Sequence, residues 1–452
     1  MNILLPIETI NREIDFKLIL ASILSGKGHS IYIGQHDFLM SLVPELENGL
    51  YIGKNIFHKR ADVEDGERYY QLKKKGFDII YIHEEGAVYY GKEDDWANVL
   101  KRHYNLNFFD ANDHICVWGQ FQSRVDFARS KGLNISVTGH PRFDLYKKKW
   151  NSYFADKVEK VKERFQDYIL VIGNYGYANH GIGVDYVFSD ATNYVVSDYE
   201  NRLDRVGYYT YSTRQMVSII ELTHHLAVRY PQKNFVFRPH PSENYDYYKA
   251  VFNGVDNIKV IHEGEVNPWI LGAEAVIHDG CTTAIESTLA EIPVINYKAF
   301  YNEKYDIWLP NQLGKRASTL EEVYEILDNI SILDFSFSNI ESAEKVHDLF
   351  YNFKGDSFER FINIVESKIN EKKDKSESPS SSFINKNYLM QKAKTSLASA
   401  ISKESARKIN YHRNKFYGFD QEVVSSKFKQ AGKVLGKQID YKLHNPFLIE
   451  IR

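Results

Sequence analysis

Residues 275–297 read AVIHDGCTTAIESTLAEIPVINY, and they spell a strand, a turn, a helix and a second strand in succession. Ala275-Val276-Ile277 is a short apolar run that predicts a strand, and His278-Asp279-Gly280 breaks it. From Thr282 to Leu289 the spacing is helical, with Ile285 and Leu289 on one face; Pro293 ends the helix before Val294-Ile295 opens the next strand. A glycine followed by two threonines at a helix start presents N–H groups and hydroxyls at the positive end of the helix dipole. That suits a phosphate, a diphosphate or a carboxylate. Glu286 sits one turn further in, where a carboxylate can accept hydrogen bonds from ribose hydroxyls. A capped β-α-β unit of any α/β protein has the same outline.

Just upstream, Asn234 to Arg238 (NFVFR) predicts a strand that runs into Pro239-His240-Pro241-Ser242-Glu243. Two prolines around a histidine deny that segment helix or ladder pairing and fix His240 at the carboxyl end of the strand. Ligands bind at such ends in open α/β sheets. Arg238, His240 and Ser242 could together bind an anion; a rigid turn with a surface histidine satisfies the same pattern.

The Arg238-to-Glu243 turn followed by HDGCTTAIES and PVINY resembles the nucleotide-binding half of GT-B glycosyltransferases. Within that fold it is most similar to bacterial surface-carbohydrate biosynthesis proteins related to the retaining β-Kdo transferases. Three further segments fit the same group: Ile82-His83-Glu84-Glu85-Gly86, Thr138-Gly139-His140-Pro141-Arg142-Phe143-Asp144, and Gly173-Asn174-Tyr175-Gly176-Tyr177-Ala178-Asn179-His180. The polyglycerol-phosphate transferases are more distant by pattern. The resemblance implies an α/β GT-B fold, two Rossmann-like domains facing a cleft. It also implies transfer of a sugar, with retention, from a CMP-activated ulosonic acid such as Kdo to a glycan or glycolipid acceptor of the bacterial surface. No cofactor beyond the donor substrate and no metal is expected, and nucleic acid is not among the partners. The nucleotide is expected at Arg238, His240, Ser242, Glu243, His278, Gly280, Thr282, Thr283 and Glu286. Two alternatives stay open: a CDP-polyol phosphotransferase of the teichoic-acid type, and a non-catalytic nucleotide-sugar-binding component of an assembly complex.

Retaining transfer through a covalent intermediate needs a carboxylate nucleophile, an acid or base, and a group to receive the departing phosphate. Asp144 follows a Gly-His-Pro-Arg turn beside Arg142, whose charge would keep it ionised, so it is the expected nucleophile. Glu84 and Glu85 follow a strand and precede Gly86; adjacent carboxylates project to different sides, and Glu85 is favoured as the general base or as the group that orients the acceptor. A solvated loop is the alternative for that pair. His180 could bind the sugar carboxylate or assist the leaving phosphate. Glu93-Asp94-Asp95 is an acidic triplet in a charged loop and is not expected to bind a divalent ion. Cys116 and Cys281 lie in apolar or small-residue contexts and read as reduced thiols; Cys281 as a nucleophile is the alternative.

The chain has 452 residues, 43% of them hydrophobic, and no apolar run approaching the ~20 residues that span a bilayer. Met1 to Pro6 reads as a buried strand instead of a leader, so a cytoplasmic protein is expected. Asn2 to Leu5, Ser30 to Ile33, Phe77 to Ile82, Ile115 to Trp118 and Tyr168 to Ile172 read as strands among amphipathic helices, the pattern of parallel sheets covered on both faces. Gly26-Lys27-Gly28-His29 lacks the spacing of a phosphate loop and reads as a turn after the helix that starts at Arg12. Three blocks are expected: an acceptor domain over 1–150, a nucleotide-sugar domain over 151–370, and a tail over 371–452. The tail carries 17 Lys+Arg against 8 Asp+Glu, a balance of +9 in a chain of net charge −3, which leaves −12 for residues 1–370. It opens on a Ser- and Lys-rich linker, and 388–409 and 423–443 read as helices with lysines between apolar positions. Such helices suit peripheral contact with the inner face of the inner membrane, or a hairpin packed on the body.

Overall fold

The structure, a computed structural model, describes the whole chain except residues 55, 57, 61–62, 85, 131, 373–377, 402–412 and 414. Two compact units emerge. The first comprises Met1–Gly86, Leu100–Leu145 and His347–Arg452; the second comprises Ala87–Val99 and Tyr146–Val346.

Ile3, Leu4 and Leu5 are wholly buried, as a strand covered on both faces requires, and Asn2–Ile7 lies inside the sheet of the first unit. It pairs in parallel with Ser30–Gln35 on one side and Gly49–Ile52 on the other; Asp78–Ile82, His114–Val117 and Asn134–Val137 follow outward. In chain order the parallel strands run 2-1-3-4-5-6, a doubly wound arrangement.

In the second unit Tyr168–Ile172 is central, with Asn234–Arg238 and Ile258–Val260 on one side and Ala275–His278, Val294–Tyr297 and Lys315–Ala317 on the other, all parallel. The order in chain sequence is 3-2-1-4-5-6, that of a dinucleotide-binding fold. One face of the sheet is covered by the helix Tyr199–Arg229, which buries Met216, Ile219, Leu222 and Leu226 against Phe235 and Phe237. Trp269, Ile270 and Val276 pack with Leu170 in a separate cluster. The fold is therefore α/β with two Rossmann-like sheets.

The tail departs from the sequence reading. Its first described helix, Ser381–Ile401, begins inside the expected linker because Ile384 is drawn into the core of the first unit; the linker residues 373–377 lie outside the described residues. The second helix stops at Leu435, where Gly436 adopts φ +64°. The expected helical residues 441–443 belong instead to the strand Tyr441–Asn445, which forms a hairpin with Leu448–Ile451. Leu448–Ile451 adds antiparallel to Ser30–Gln35, which would otherwise expose an edge, and buries Leu448, Ile449 and Ile451 completely. The helix Gln421–Leu435 packs on Ile10–Leu24 through the buried pair Lys427–Asp15 at 2.5 Å. These contacts put the tail in the first unit, so the chain does not divide into the three consecutive blocks 1–150, 151–370 and 371–452. Residues 87–99 group with the second unit through the Tyr90–Ile307 bridge, and Glu93-Asp94-Asp95 form the first turn of the helix Glu93–His103 instead of a loop.

Candidate active site

The strand order of the second unit's sheet reverses between Tyr168–Ile172 and Ala275–His278, and the turns that follow its central strands gather at this switch point. Residues 173–183 follow the first strand and 239–244 the second. Glu243 joins them: Oε1 accepts the amides of Tyr175 (2.9 Å) and His240 (2.8 Å), and Oε2 accepts the Tyr248 hydroxyl. The two turns are further zipped by Gly181 N to Ser242 O at 2.8 Å and Asn244 N to Asn179 O at 2.9 Å. Gly176 runs so close to Ser242 that a Cβ there would collide with its hydroxyl. Glu243 is 4% exposed, and burial pushes its pKa up to about 7 against those three donors. Expected as a nucleotide contact, it is the clamp of the turn.

His240 remains exposed at the strand end. Its Nδ1 accepts the Ser242 amide at 3.2 Å and lies 2.8 Å from the Ser242 hydroxyl, which sets the neutral ring's proton on Nε2. Arg238 is otherwise engaged: its guanidinium donates to the carbonyls of Glu263 (2.8 Å) and Gly264 (2.5 Å), and burial brings its pKa down to about 10. Its place as an anion ligand is thereby corrected to that of a loop anchor. His180 is half-buried, accepts the Ile182 amide on Nδ1 and lies against Tyr186 at 4.6 Å; burial lowers its pKa and keeps it neutral.

At the end of Ala275–His278, the fourth strand, His278 is fully buried with Nδ1 accepting the Gly280 amide at 2.9 Å, and burial drops its pKa to about 3. It shapes the turn and is too enclosed to touch a ligand, another correction. Gly280 has φ +90°, in the left-handed region, beside Asn311. Thr282 precedes the helix Thr283–Leu289 without capping it, Thr283 Oγ1 stands 3.3 Å from Cys281 Sγ, and Glu286 is buried in the first turn. Burial raises the Cys281 thiol, which suits an inert residue.

Behind this turn lies a polar cluster that sequence reasoning missed. Lys298 follows the strand Val294–Tyr297 directly and pairs with Asp279 at 3.4 Å and with Asp306. Tyr175 donates to Asp279 at 3.0 Å and Tyr211 to Asp306 at 2.6 Å. A polar residue just past a buried strand was the signal available for Lys298. Only the fold brings Tyr211 and Asp306 to it.

In the first unit, Glu84 is 1% exposed at the end of Asp78–Ile82, with His140 Nε2 3.2 Å from Oε2 and Lys17 Nζ 3.7 Å from Oε1. Lys17 also pairs with Glu13 at 2.6 Å and donates to the Pro6 carbonyl. Burial would raise the Glu84 pKa, but His140 and Lys17 outweigh it and hold the carboxyl well below its usual range. His140 itself accepts the Arg142 amide on Nδ1, and burial keeps its pKa low. Glu85 lies outside the described residues. Asp144, expected as the nucleophile, is 0% exposed: Oδ1 accepts Asn352 Nδ2 (2.8 Å), and Oδ2 accepts the amides of Ser357 (2.5 Å) and Phe358 (2.9 Å). It receives the first two amides of the helix Ser357–Glu371, whose N-cap is Asp356, and a carboxylate so enclosed cannot reach an anomeric carbon. Among the described residues no cluster of three or more His, Cys, Asp or Glu has metal-binding geometry.

No family model matches the chain, and no curated protein matches it. Solved structures do. UDP-GlcNAc 2-epimerase from Methanocaldococcus jannaschii is similar over 81% of this chain and 100% of its own, with 13% identity and a TM-score of 0.50. The wall teichoic acid polymerase TagF aligns over 82% of this chain and 88% of its own at 9% identity and a TM-score of 0.46. A glycosyltransferase from Rickettsia africae aligns over 81% and 98% at 12% identity and 0.42. At these identities the likeness speaks to the fold, and the fold is GT-B-like, two Rossmann-like domains in one chain.

Proposed function

We propose that this protein is a glycosyltransferase that moves a sugar from a nucleotide-activated donor to a bacterial surface-glycan acceptor. The observation that carries the reading is the switch point of the second unit. There the turns after Asn234–Arg238 and Ala275–His278 bring His240, Ser242, Gly280, Thr282 and Thr283 to the end of one sheet, as a nucleotide site of this topology requires. Hydroxyls, amides and the His240 imidazole would receive the diphosphate or phosphate, with Glu286 near the ribose and Glu243 holding the turn. CMP is the favoured nucleotide and a 3-deoxy-ulosonic acid such as Kdo the favoured sugar, on the motif resemblance. Retention is carried over from the same source. For the carboxylate chemistry Glu84 and Glu85 remain, with Glu85 as base and Glu84 held ionised by the His140 Nε2–H and the Lys17 ammonium. His180, whose Nδ1 accepts the Ile182 amide, would orient the donor substrate from the 173–183 turn through a neutral Nε2–H. The reading places the enzyme in the cytoplasm, where activated donors and lipid-linked acceptors meet.

Incubating the protein with CMP-, CDP- and UDP-activated sugars and with CDP-glycerol, with and without glycan acceptors, tests this by nucleotide release. Acceptor-dependent release of CMP from a sugar donor is expected. Release only from CDP-glycerol would favour a polyol phosphotransferase, and binding without release a non-catalytic component.

A further inference from the structure

The helix Ser381–Ile401 has one face in the first unit and the other in solvent. Ile384 and Asn387 are buried, Gln391 reaches Gln35 at 3.3 Å, and the helix packs against His36–Leu42. On the outward side Leu389 is 62% exposed, Met390 43% and Leu397 67%. At 3.6 residues per turn Leu389, Ala393, Leu397 and Met390 form one continuous stripe, with Lys392 to one side, Lys394 to the other and Lys386 among them, all exposed. The helix contains no Asp or Glu, and residues 381–415 carry 8 Lys+Arg against 1 Asp+Glu. A leucine stripe left in water is unfavourable. One flanked by lysines and free of acids is matched in both polarity and charge by the headgroup region of an anionic bilayer, where the lysine stems lie flat and their ammonium groups reach phosphate. No helix among the described residues is long and apolar enough to cross a membrane.

We infer that the outward face of Ser381–Ile401 is a docking surface for an anionic phospholipid bilayer, holding the first unit against the membrane. The inference deepens the cytoplasmic reading above by supplying the surface that would meet a lipid-linked acceptor, yet it stands on exposure and charge alone, without the nucleotide site. Full-length protein is sedimented with vesicles of phosphatidylcholine alone and of phosphatidylcholine mixed with phosphatidylglycerol, at low and high salt. Binding is expected only to the mixed vesicles and is expected to fall at high salt. The K386Q/K392Q/K394Q variant should bind about a hundredfold more weakly, since each lysine near an anionic surface is worth about tenfold or less. The L389Q/L397Q variant should also lose binding, about tenfold or more. All five side chains are exposed, so both variants should keep the wild-type melting temperature and nucleotide affinity, which separates failure of this surface from failure of the nucleotide reading. Equal binding to both vesicle types, no binding to either, or binding unmoved by either variant would overturn the inference. A dimer in light scattering that L389Q/L397Q dissolves would replace the bilayer with a second copy of the chain.

Discussion

Glu243 makes stability and pH interdependent in a way that can be calculated. Its folded pKa of about 7 stands above the ordinary value of 4.5. Between those values the native state therefore holds a proton that the unfolded chain has lost, and stability falls as pH rises. The contribution is fully present below about pH 4.5 and is gone once pH has passed through about 7. At about 1.36 kcal/mol per unit, a shift of this size is worth roughly 3 kcal/mol in all, of which about 2.5 kcal/mol disappears from about pH 5 to about pH 8. Enclosure of the carboxyl leaves little solvent screening to reduce that figure. Glu243→Gln has the same shape, keeps an oxygen for the amides of Tyr175 and His240, and cannot titrate. Urea unfolding of both proteins across this pH range should show the wild type losing about 2.5 kcal/mol relative to the variant as pH rises. Glu243→Ala, by contrast, orphans two amides and a hydroxyl at about 1–3 kcal/mol each and should be far less stable at every pH. A difference between wild type and Glu243→Gln that stays flat, or that grows in the wild type's favour as pH rises, would refute this reading of the clamp.

Asp144→Asn should destabilise the first unit by about 2–4 kcal/mol, because one of its three donors would face an NH2 group, while CMP affinity by calorimetry stays unchanged. A sugar adduct mapped to Asp144 by mass spectrometry would contradict its role as anchor of the helix start. Lys298→Met should cost about 3–5 kcal/mol in denaturant unfolding, since Asp279 and Asp306 would lose their shared buried cation. Deleting residues 436–452 should remove the hairpin from the Ser30–Gln35 strand and yield aggregating protein; a soluble, monomeric truncation with the wild-type melting temperature would show that the hairpin is dispensable.

The parallel cores were legible because buried strands are short apolar runs: Asn234 to Arg238 and Tyr168 to Ile172 coincide with the observed strands. Gly49–Ile52 was missed, since four residues after a 3-10 turn carry too little pattern. The tail misled for a different reason. Lys442 and His444 on a half-exposed hairpin strand mimic the lysine spacing of a helix, and only pairing with Leu448–Ile451 reveals the strand. At the site, the motifs marked the right turns but not the roles within them. Sequence places Arg238, His278 and Asp144 at strand ends, where ligands bind. Whether such a side chain faces a ligand or a carbonyl depends on partners far away in the chain: Gly264 for Arg238, and Asn352 and Ser357 for Asp144. Glu243 shows the same limit, because its three donors come from two turns and a helix.

The most direct test of a nucleotide site at the switch point is calorimetric titration of CMP, CDP and UDP into the wild type and into T282V/T283V. The double substitution preserves volume at the helix start while removing two hydroxyls, each worth about 0.5–1.5 kcal/mol and more when it faces charge. CMP should bind the wild type and bind the variant about 5- to 150-fold more weakly, with an unchanged melting temperature. Identical CMP affinity in the two proteins, or no binding of any of the three nucleotides to the wild type, would contradict the assignment.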